Sequence, residues 1–226
     1  ISKVFGTKRV EAIRICEHKD SGKGNEKIEC DCIAMSGGWS PVVHLYSHCG
    51  GKLKWDEKLA LFKPDSSAKP TSHDGLPFVT AVGSANGSLL MQEVLKDAQE
   101  GCLNVIEAAG GKVKKKSFKV IEQEYENSLQ AIWIAPHDAD IKKRSKIWLD
   151  FQNDVKVNDV ELAAREGFES VEHAKRYTTL GMATDQGKLS NINGLAVLSS
   201  SLDKEIPKVG TTTFRPPYTP ISLGSI

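Results

Sequence analysis

Apolar and polar positions divide the chain into stretches of different period. Residues 8–18 and 26–36 carry an imperfect alternation, with Val10, Ala12, Ile13 and Ile15 in the first. They predict two strands joined by the turn DSGKGN. In the second, Ile28, Cys30 and Cys32 share one face, because side chains on a strand repeat every two residues. It stops at Ser36-Gly37-Gly38-Trp39-Ser40-Pro41. Residues 42–77, broken by Gly50-Gly51, Pro64, Pro70 and Pro77, predict irregular chain. Phe78–Val82 predicts a short buried strand running into Gly83-Ser84-Ala85-Asn86-Gly87. Leu90, Val94, Ala98, Cys102, Val105, Ile106 and Ala109 then recur at helical spacing, and Gly110-Gly111 closes that helix.

Residues 112–146 read as a charged connection with one strand inside it, Leu129–Ala135, and a boundary at DADIKKRSK. Residues 147–200 start a new unit. Asn158 is the expected cap of a helix VELAARE, with Glu161 three residues on and Gly167 behind it. Ser170 caps a second helix, VEHAKRY, and Ser190 a third through Leu195–Leu198. Residues 203–226, with Pro207, Pro216, Pro217 and Pro220, predict an extended linker.

Composition narrows the class. The 226 residues are 39% hydrophobic and 26% charged, which fits a globular protein and excludes a disordered tail. Net charge is +1, which gives no electrostatic case for nucleic acid or acidic membranes. The basic run Lys112–Lys116 reads as a solvated segment after a helix. No apolar run approaches the ~20 residues of a membrane span. The start ISKVFGTKRV is not a signal peptide. Ile1 in place of Met, and an end in TPISLGSI, predict an internal piece of a longer protein. The odd set of five cysteines predicts reduced thiols and a cytoplasmic location.

Two glycine turns carry the first chemistry. A strand entering a Gly loop and helix brings backbone N–H groups to an anion where no Cβ intervenes. Gly83 to Gly87 meets that context, and by itself it is equally a tight strand-to-helix turn. Paired with SGGWSP some forty residues upstream, it resembles the closing half of two-dinucleotide-domain disulfide oxidoreductases. SGGWSP-VVHL, GGKLKWDE and FVTAVGSANG more closely resemble the alpha-subunit family of heterotetrameric sarcosine oxidases. That resemblance implies a bound NAD near Gly37, Gly38, Trp39, Gly83, Ser84 and Ala85. Disulfide oxidoreductases usually have Gly-Asp where this chain has Gly83-Ser84, which counts against a standard FAD site.

The second motif spans DFQNDVKVNDVELAAREG and KRYTTLGMATDQGKLSN. It resembles the two-iron two-sulfur domain of bacterioferritin-associated ferredoxins. Clusters of that kind need thiolates. At the four cysteine places this chain has Asp150, Gln152, Asp185 and Ser190. The long run EGFESVEHAKRYTTLGMATDQGK again resembles the sarcosine oxidase alpha family. Lys175, Arg176, Thr178, Thr179 and Gln186 gather positive charge and polar donors that suit a phosphate. The resemblance implies an FMN between alpha and beta subunits, and the cluster is expected to face it. A self-contained network of caps and surface charges is the alternative.

VGTTTFRPPYTPISLGS resembles the lead-in to a folate-binding, aminomethyltransferase-like domain. The expected fold is α/β. Residues 1–140 are the C-terminal part of a dinucleotide-binding, disulfide-oxidoreductase-like domain. Residues 141–202 are a small helical ferredoxin-like domain lacking the iron–sulfur cysteines, and residues 203–226 a linker and the start of the folate domain. The family resemblance implies a heterotetramer with beta, gamma and delta subunits, FAD on beta, and tetrahydrofolate in the domain that follows. It implies oxidation of sarcosine, with no catalytic residue in this chain. A proline or opine dehydrogenase large subunit and a non-catalytic assembly module are the rivals. His44 and His48, four apart beside Cys49, lack a fourth ligand, so no metal site is expected. Cys30 and Cys32 are expected to be buried, and Trp39 either covers the dinucleotide or anchors a core.

Overall fold

The computed structural model describes residues 1–17, 24, 26–121, 130–135, 146–212, 214 and 221–225. Its elements run in the order β1 Lys3–Phe5, β2 Ala12–Ile15, β3 Glu26–Glu29, α1 His44–His48, β4 Leu53–Asp56, β5 Leu61–Pro64, a 3₁₀ turn Gly83–Asn86, α2 Met91–Ala108, β6 Trp148–Asp150, β7 Val155–Lys156, α3 Val157–Arg165, α4 Val171–Thr178, α5 Asn191–Ser201, α6 Ile206–Val209 and a 3₁₀ turn Leu223–Ser225. The chain is α/β with two compact units. One holds residues 1–38, 132–183 and 187–210, and the other 39–131, 184–186 and 211–226. No described helix is long and apolar enough to cross a membrane.

In the first unit, β1, β2 and β3 form an antiparallel meander. Both strands are shorter than the alternation predicts. Gly6 at φ 124° and the bond from Glu11 N–H to Phe5 O (3.0 Å) turn the chain, so residues 8–10 stay outside β2. The pairing of β3 ends at Glu29, with one further bond from Cys30 N–H to the Glu11 carbonyl. Beyond it no strand among the described residues pairs with the chain. Ile28 and Cys32 are exposed and Cys30 half-buried, which corrects the expectation of a buried cysteine face.

The helical part of this unit packs around α5. That helix is buried on nearly every side through Gly194, Leu195, Ala196, Val197 and Leu198, as befits a helix without a polar face. It packs against α3, α4 and α6. Val157, Val160 and Ala163 form the buried stripe of α3, at helical spacing. This helix begins before the expected Asn158, because the Asp159 carboxylate accepts the Lys156 N–H at 2.8 Å and fixes the start there. Ser170 caps α4 as its sequence suggests, its Oγ accepting from His173 N–H at 3.3 Å. The expected linker from residue 203 is instead ordered at its start. In α6, Pro207 sits in the first turn, where a missing N–H costs nothing, and Val209 is buried.

The second unit corrects the reading of residues 42–77 as irregular. Helix α1 and the hairpin β4–β5 lie there. Trp55 faces Phe62 across the hairpin with ring centroids 5.0 Å apart. The Asp56 carboxylate closes the turn by accepting from Lys58 and Leu59 N–H (both 3.1 Å) and pairing with Lys63 at 2.5 Å. The hydrogen bond from Lys63 holds that carboxyl below its ordinary pKa.

Helix α2 matches its periodicity, and Gly110 at φ 79° ends it. Gly110 N–H bonds Glu107 O, and Gly111 N–H bonds Ile106 O. Gly101 inside the helix is explained by contact: a Cβ there would lie 2.3 Å from Val82 Cγ1. Two expected strands do not form among the described residues. Val82 has extended dihedrals, yet Phe78–Val82 has no ladder among the described residues, only the single bridge Thr71–Pro77 before it. An apolar run becomes a strand only with a partner to pair with. Residues 130–135 are likewise not a strand, and Leu129 lies outside the described residues.

Candidate functional site

The end of the helical unit is built from two loops, one after β6 and one after α4. Asp150, only 4% exposed, ties them together. Its Oδ1 accepts from Gln152 N–H (2.9 Å) and Asn153 N–H (3.2 Å), and its Oδ2 accepts from the buried Gly181 N–H at 2.8 Å. Asn153 Nδ2 donates to Thr179 O at 2.9 Å, a second bond between the loops. One carboxylate thus satisfies three backbone donors from segments about thirty residues apart.

Asn191, at the first position of α5, fills the space beside them. Gly181 and Gly187 both have positive φ, 66° and 72°. A Cβ on either would come within 2.0 or 2.1 Å of Asn191 Oδ1. The two glycines therefore exist to let the loop close over that side chain. Next to it Ser190 is buried at 2% exposure, and its hydroxyl has no hydrogen-bond partner among the described residues. Ser190 precedes α5 as expected but makes no side-chain cap.

Of the four cluster-cysteine places, Asp150, Gln152 and Ser190 fall in this unit, and Asp185 groups with the other. Two carboxylates, an amide and a hydroxyl are not the soft thiolates an iron–sulfur cluster requires. The one buried carboxylate among them, Asp150, accepts from three backbone amides. Three large apolar side chains on the same loops stay exposed: Phe151, Met182 and Leu189 at 77%, 55% and 76%.

The expected phosphate set lies partly here. Thr178 Oγ1 donates to Ala174 O (2.7 Å) and accepts from Leu180 N–H (3.2 Å), while Thr179 Oγ1 donates to Thr178 O (2.6 Å). Both hydroxyl protons thus finish helix α4, and Thr179 ends it at φ 64°. Lys175 and Arg176 sit in its last turn, where cations complement the carbonyl end of the helix. Arg176 is exposed and Lys175 half-buried. Positive charge here fits a phosphate, and the carbonyl end of a helix does not add to it. Gln186, at φ 52°, groups with the other unit.

Gly37 and Gly38 close the first segment of one unit, while Trp39, Gly83, Ser84 and Ala85 belong to the other. Gly38 is at φ 90°, and a Cβ on Gly37 or Gly38 would touch nothing. Trp39 is 78% exposed and anchors no core. Gly83 N–H donates to Asp97 Oδ2 at 2.6 Å, and Asn86 Nδ2 reaches the same oxygen at 3.2 Å. The pattern gave no sign of Asp97, which lies one helical turn past Val94, the side chain against Gly83. A cavity of about 210 Å³ in this unit is lined by Tyr46, Lys69, Thr80, Asn86, Asp97 and Glu100, among others. A carboxylate at the loop repels a pyrophosphate and accepts from hydroxyls. The residues therefore fit the sugar end of a dinucleotide better than its phosphates.

His44 and His48 stand one turn apart on α1, and the His44 ring lies against Phe214, tilted by 41° with centroids 3.7 Å apart. Among the described residues no group of three or more His, Cys, Asp or Glu side chains is placed to hold a metal ion. The described cysteines are free thiols.

Comparison with known proteins relates the chain to sarcosine oxidase alpha subunits. Residues 144–226 match the family model for the Sarcosine oxidase A3 domain. Sarcosine oxidase subunit alpha of Rhizobium meliloti (strain 1021) is 38% identical over 226 residues, 99% of this chain and 21% of that protein. The subunit of the same name from Corynebacterium sp. (strain U-96) is 34% identical over 218 residues, 93% of this chain and 21% of its own length. The chain therefore spans about a fifth of the length of these relatives. The crystal structure of L-proline dehydrogenase from P. horikoshii superposes with a TM-score of 0.68 at 21% identity, covering 98% of this chain and 43% of the other, a likeness of fold. The chain belongs to the sarcosine oxidase alpha-subunit family.

Proposed function

We propose that this chain serves an amine-oxidising flavoenzyme assembly of the sarcosine oxidase kind, as a cofactor-facing and subunit-facing part of its alpha subunit. Sarcosine, tetrahydrofolate and oxygen become glycine, methylenetetrahydrofolate and hydrogen peroxide in that assembly. Residues 1–140 contribute the closing part of a dinucleotide-binding domain, 141–202 a helical module without a cluster, and 203–226 the approach to a folate-binding domain. Beta, gamma and delta subunits complete the assembly, and FAD on beta supplies the amine-oxidising chemistry.

The observation that carries this reading is the pair of loops tied by Asp150. They present Phe151, Met182 and Leu189 to the surface, and their cluster places hold no thiolate. Exposed apolar side chains on a locked scaffold mark a docking wall. Lys175 and Arg176 supply charge for an FMN phosphate there, with Thr178 and Thr179 shaping the helix end. Within the second unit, Trp39, Gly83, Ser84 and Ala85 serve NAD, with Asp97 and Ser84 offering acceptors to ribose hydroxyls. The identity to alpha subunits of sarcosine oxidase favours this reading over a proline or opine dehydrogenase.

The native assembly is expected to consume oxygen and release peroxide on addition of sarcosine, and to carry both NAD and FMN. Arg176→Ala is expected to lower FMN content several-fold while the assembly stays intact by size-exclusion chromatography. Full FMN in that variant removes the proposed role of the module. No sarcosine-dependent oxygen uptake removes the reaction itself.

A further inference from the structure

Helix α1 depends on its neighbours for its place. It has five residues and no side-chain cap, and a helix of that length has no stability of its own. Its buried side chains are His44 and Tyr46. Tyr46 is fixed on one flank. Its hydroxyl donates to Asp65 O at 2.9 Å, and its ring lies over Gly51, where a Cβ would come within 2.3 Å of it. The same side chain lines the cavity of the second unit. His44, 4% exposed, meets a different neighbour, the Phe214 ring at 3.7 Å between centroids. Near Phe214 in sequence, Thr212 is buried as well. A segment from far along the chain thus reaches back to α1 and closes over its buried histidine.

We propose that the segment carrying Thr212 and Phe214 is a strap that holds α1 in place and, through it, sets the cavity wall at Tyr46. His44 and Tyr46 stand two positions apart on one short helix, so a shift at one displaces the other. Phe214 does not line the cavity, and its contact with α1 runs through His44. Removing that ring takes buried apolar contact from a helix that cannot stand alone, which is the condition for local opening. Coupling of this kind is reciprocal: loosening Tyr46 loosens the strap in turn. The inference rests on contacts within one unit. It holds for any ligand the cavity takes and is independent of the function proposed above.

Modification of His44 by diethyl pyrocarbonate in the native full-length protein, read by peptide mass spectrometry, tests it. Exposed His73 serves as the internal reference. In the unaltered protein His44 is expected to react far more slowly than His73. Phe214→Ala is expected to speed His44 about tenfold or more, and Phe214→Leu, which keeps an apolar side chain, about threefold or less. Tyr46→Phe removes only the bond to Asp65 O and is expected to speed His44 about fivefold. The His73 rate stays constant throughout. Hydrogen exchange at the Ser47 and Cys49 amides, which bond Val43 O and Leu45 O, is expected to rise in Phe214→Ala while α2 keeps its protection. Three results overturn the inference: unchanged His44 reactivity in Phe214→Ala, an unaltered His44 rate in Tyr46→Phe, or loss of protection along α2 together with α1, which marks general unfolding instead of a local strap.

Discussion

Asp150→Ala is expected to destabilise the helical unit by about 3–5 kcal/mol, a large share of the ~5–15 kcal/mol that holds a typical domain together. The argument is a count of donors. Gln152, Asn153 and Gly181 N–H all bond this one carboxylate, and the Gly181 bond is buried. Each buried donor left without an acceptor costs about 1–3 kcal/mol, and bonds to a charged acceptor are at the upper end. The two outer donors are part-buried and can recover some of the loss from water. Asp150→Asn keeps the shape and one oxygen but presents an NH₂ to at least one N–H, so about half the loss is expected. Thermal unfolding of the native protein measures the total. Hydrogen exchange at Gly181 localises it, since that amide is expected to lose its protection first. A change below about 0.5 kcal/mol in Asp150→Ala would remove this carboxylate from its central place.

Gly187→Ala carries the second large effect, and it comes from a different cause. At φ 72° any side chain is strained, and this one would also sit 2.1, 2.2 and 2.3 Å from three atoms of the Asn191 side chain. Strain of that kind costs about 1–3 kcal/mol, and the overlap forces the loop to move as well, so a loss above about 3 kcal/mol is expected. The clash has one partner, which makes it separable. The double variant Gly187→Ala/Asn191→Ala is expected to recover at least about 1 kcal/mol relative to the sum of the singles. Strict additivity would mean that Asn191 is not what the loop closes over.

Features of the fold set by a local pattern were legible in the sequence. Helix α2 and its Gly110 stop, the Ser170 cap of α4 and the buried run of α5 all follow from spacing and capping within a few residues. Strands were harder, because a strand exists only with its neighbour. Phe78–Val82 has strand composition and finds no partner among the described residues. The hairpin Leu53–Pro64 pairs two four-residue strands whose signals, Trp55 against Phe62 and the Asp56 turn, looked like irregular chain. The site shows the same limit. Asp150 and Ser190 were found because a cluster motif named their places. Asn191 was not, since its neighbours Gly181 and Gly187 become adjacent to it only when the loop folds back. Asp97 was missed for a similar reason: it meets Gly83 from fourteen residues away along the chain.

The exposed Trp39 shows where local reading leaves two outcomes open. A tryptophan after two glycines fits a core anchor or a cofactor cover, and at 78% exposure the first is excluded within its unit. The cysteines make the opposite point. Alternation placed Cys30 and Cys32 on a buried face, but all of β3, the paired Ile28 included, is exposed, so among the described residues no layer covers that face.

Replacement of the cluster ligands by the hydrogen-bonded carboxylate of Asp150 and by Gln152, Asp185 and Ser190 is the claim on which the account turns. Iron and acid-labile sulfide analysis of the native protein, purified without air exposure, tests it most directly. Less than about a tenth of an iron per alpha chain at these loops, with the helical unit fully folded, is the predicted result. About two irons and two sulfides per alpha chain, lost together with helical structure on chelation, would contradict it.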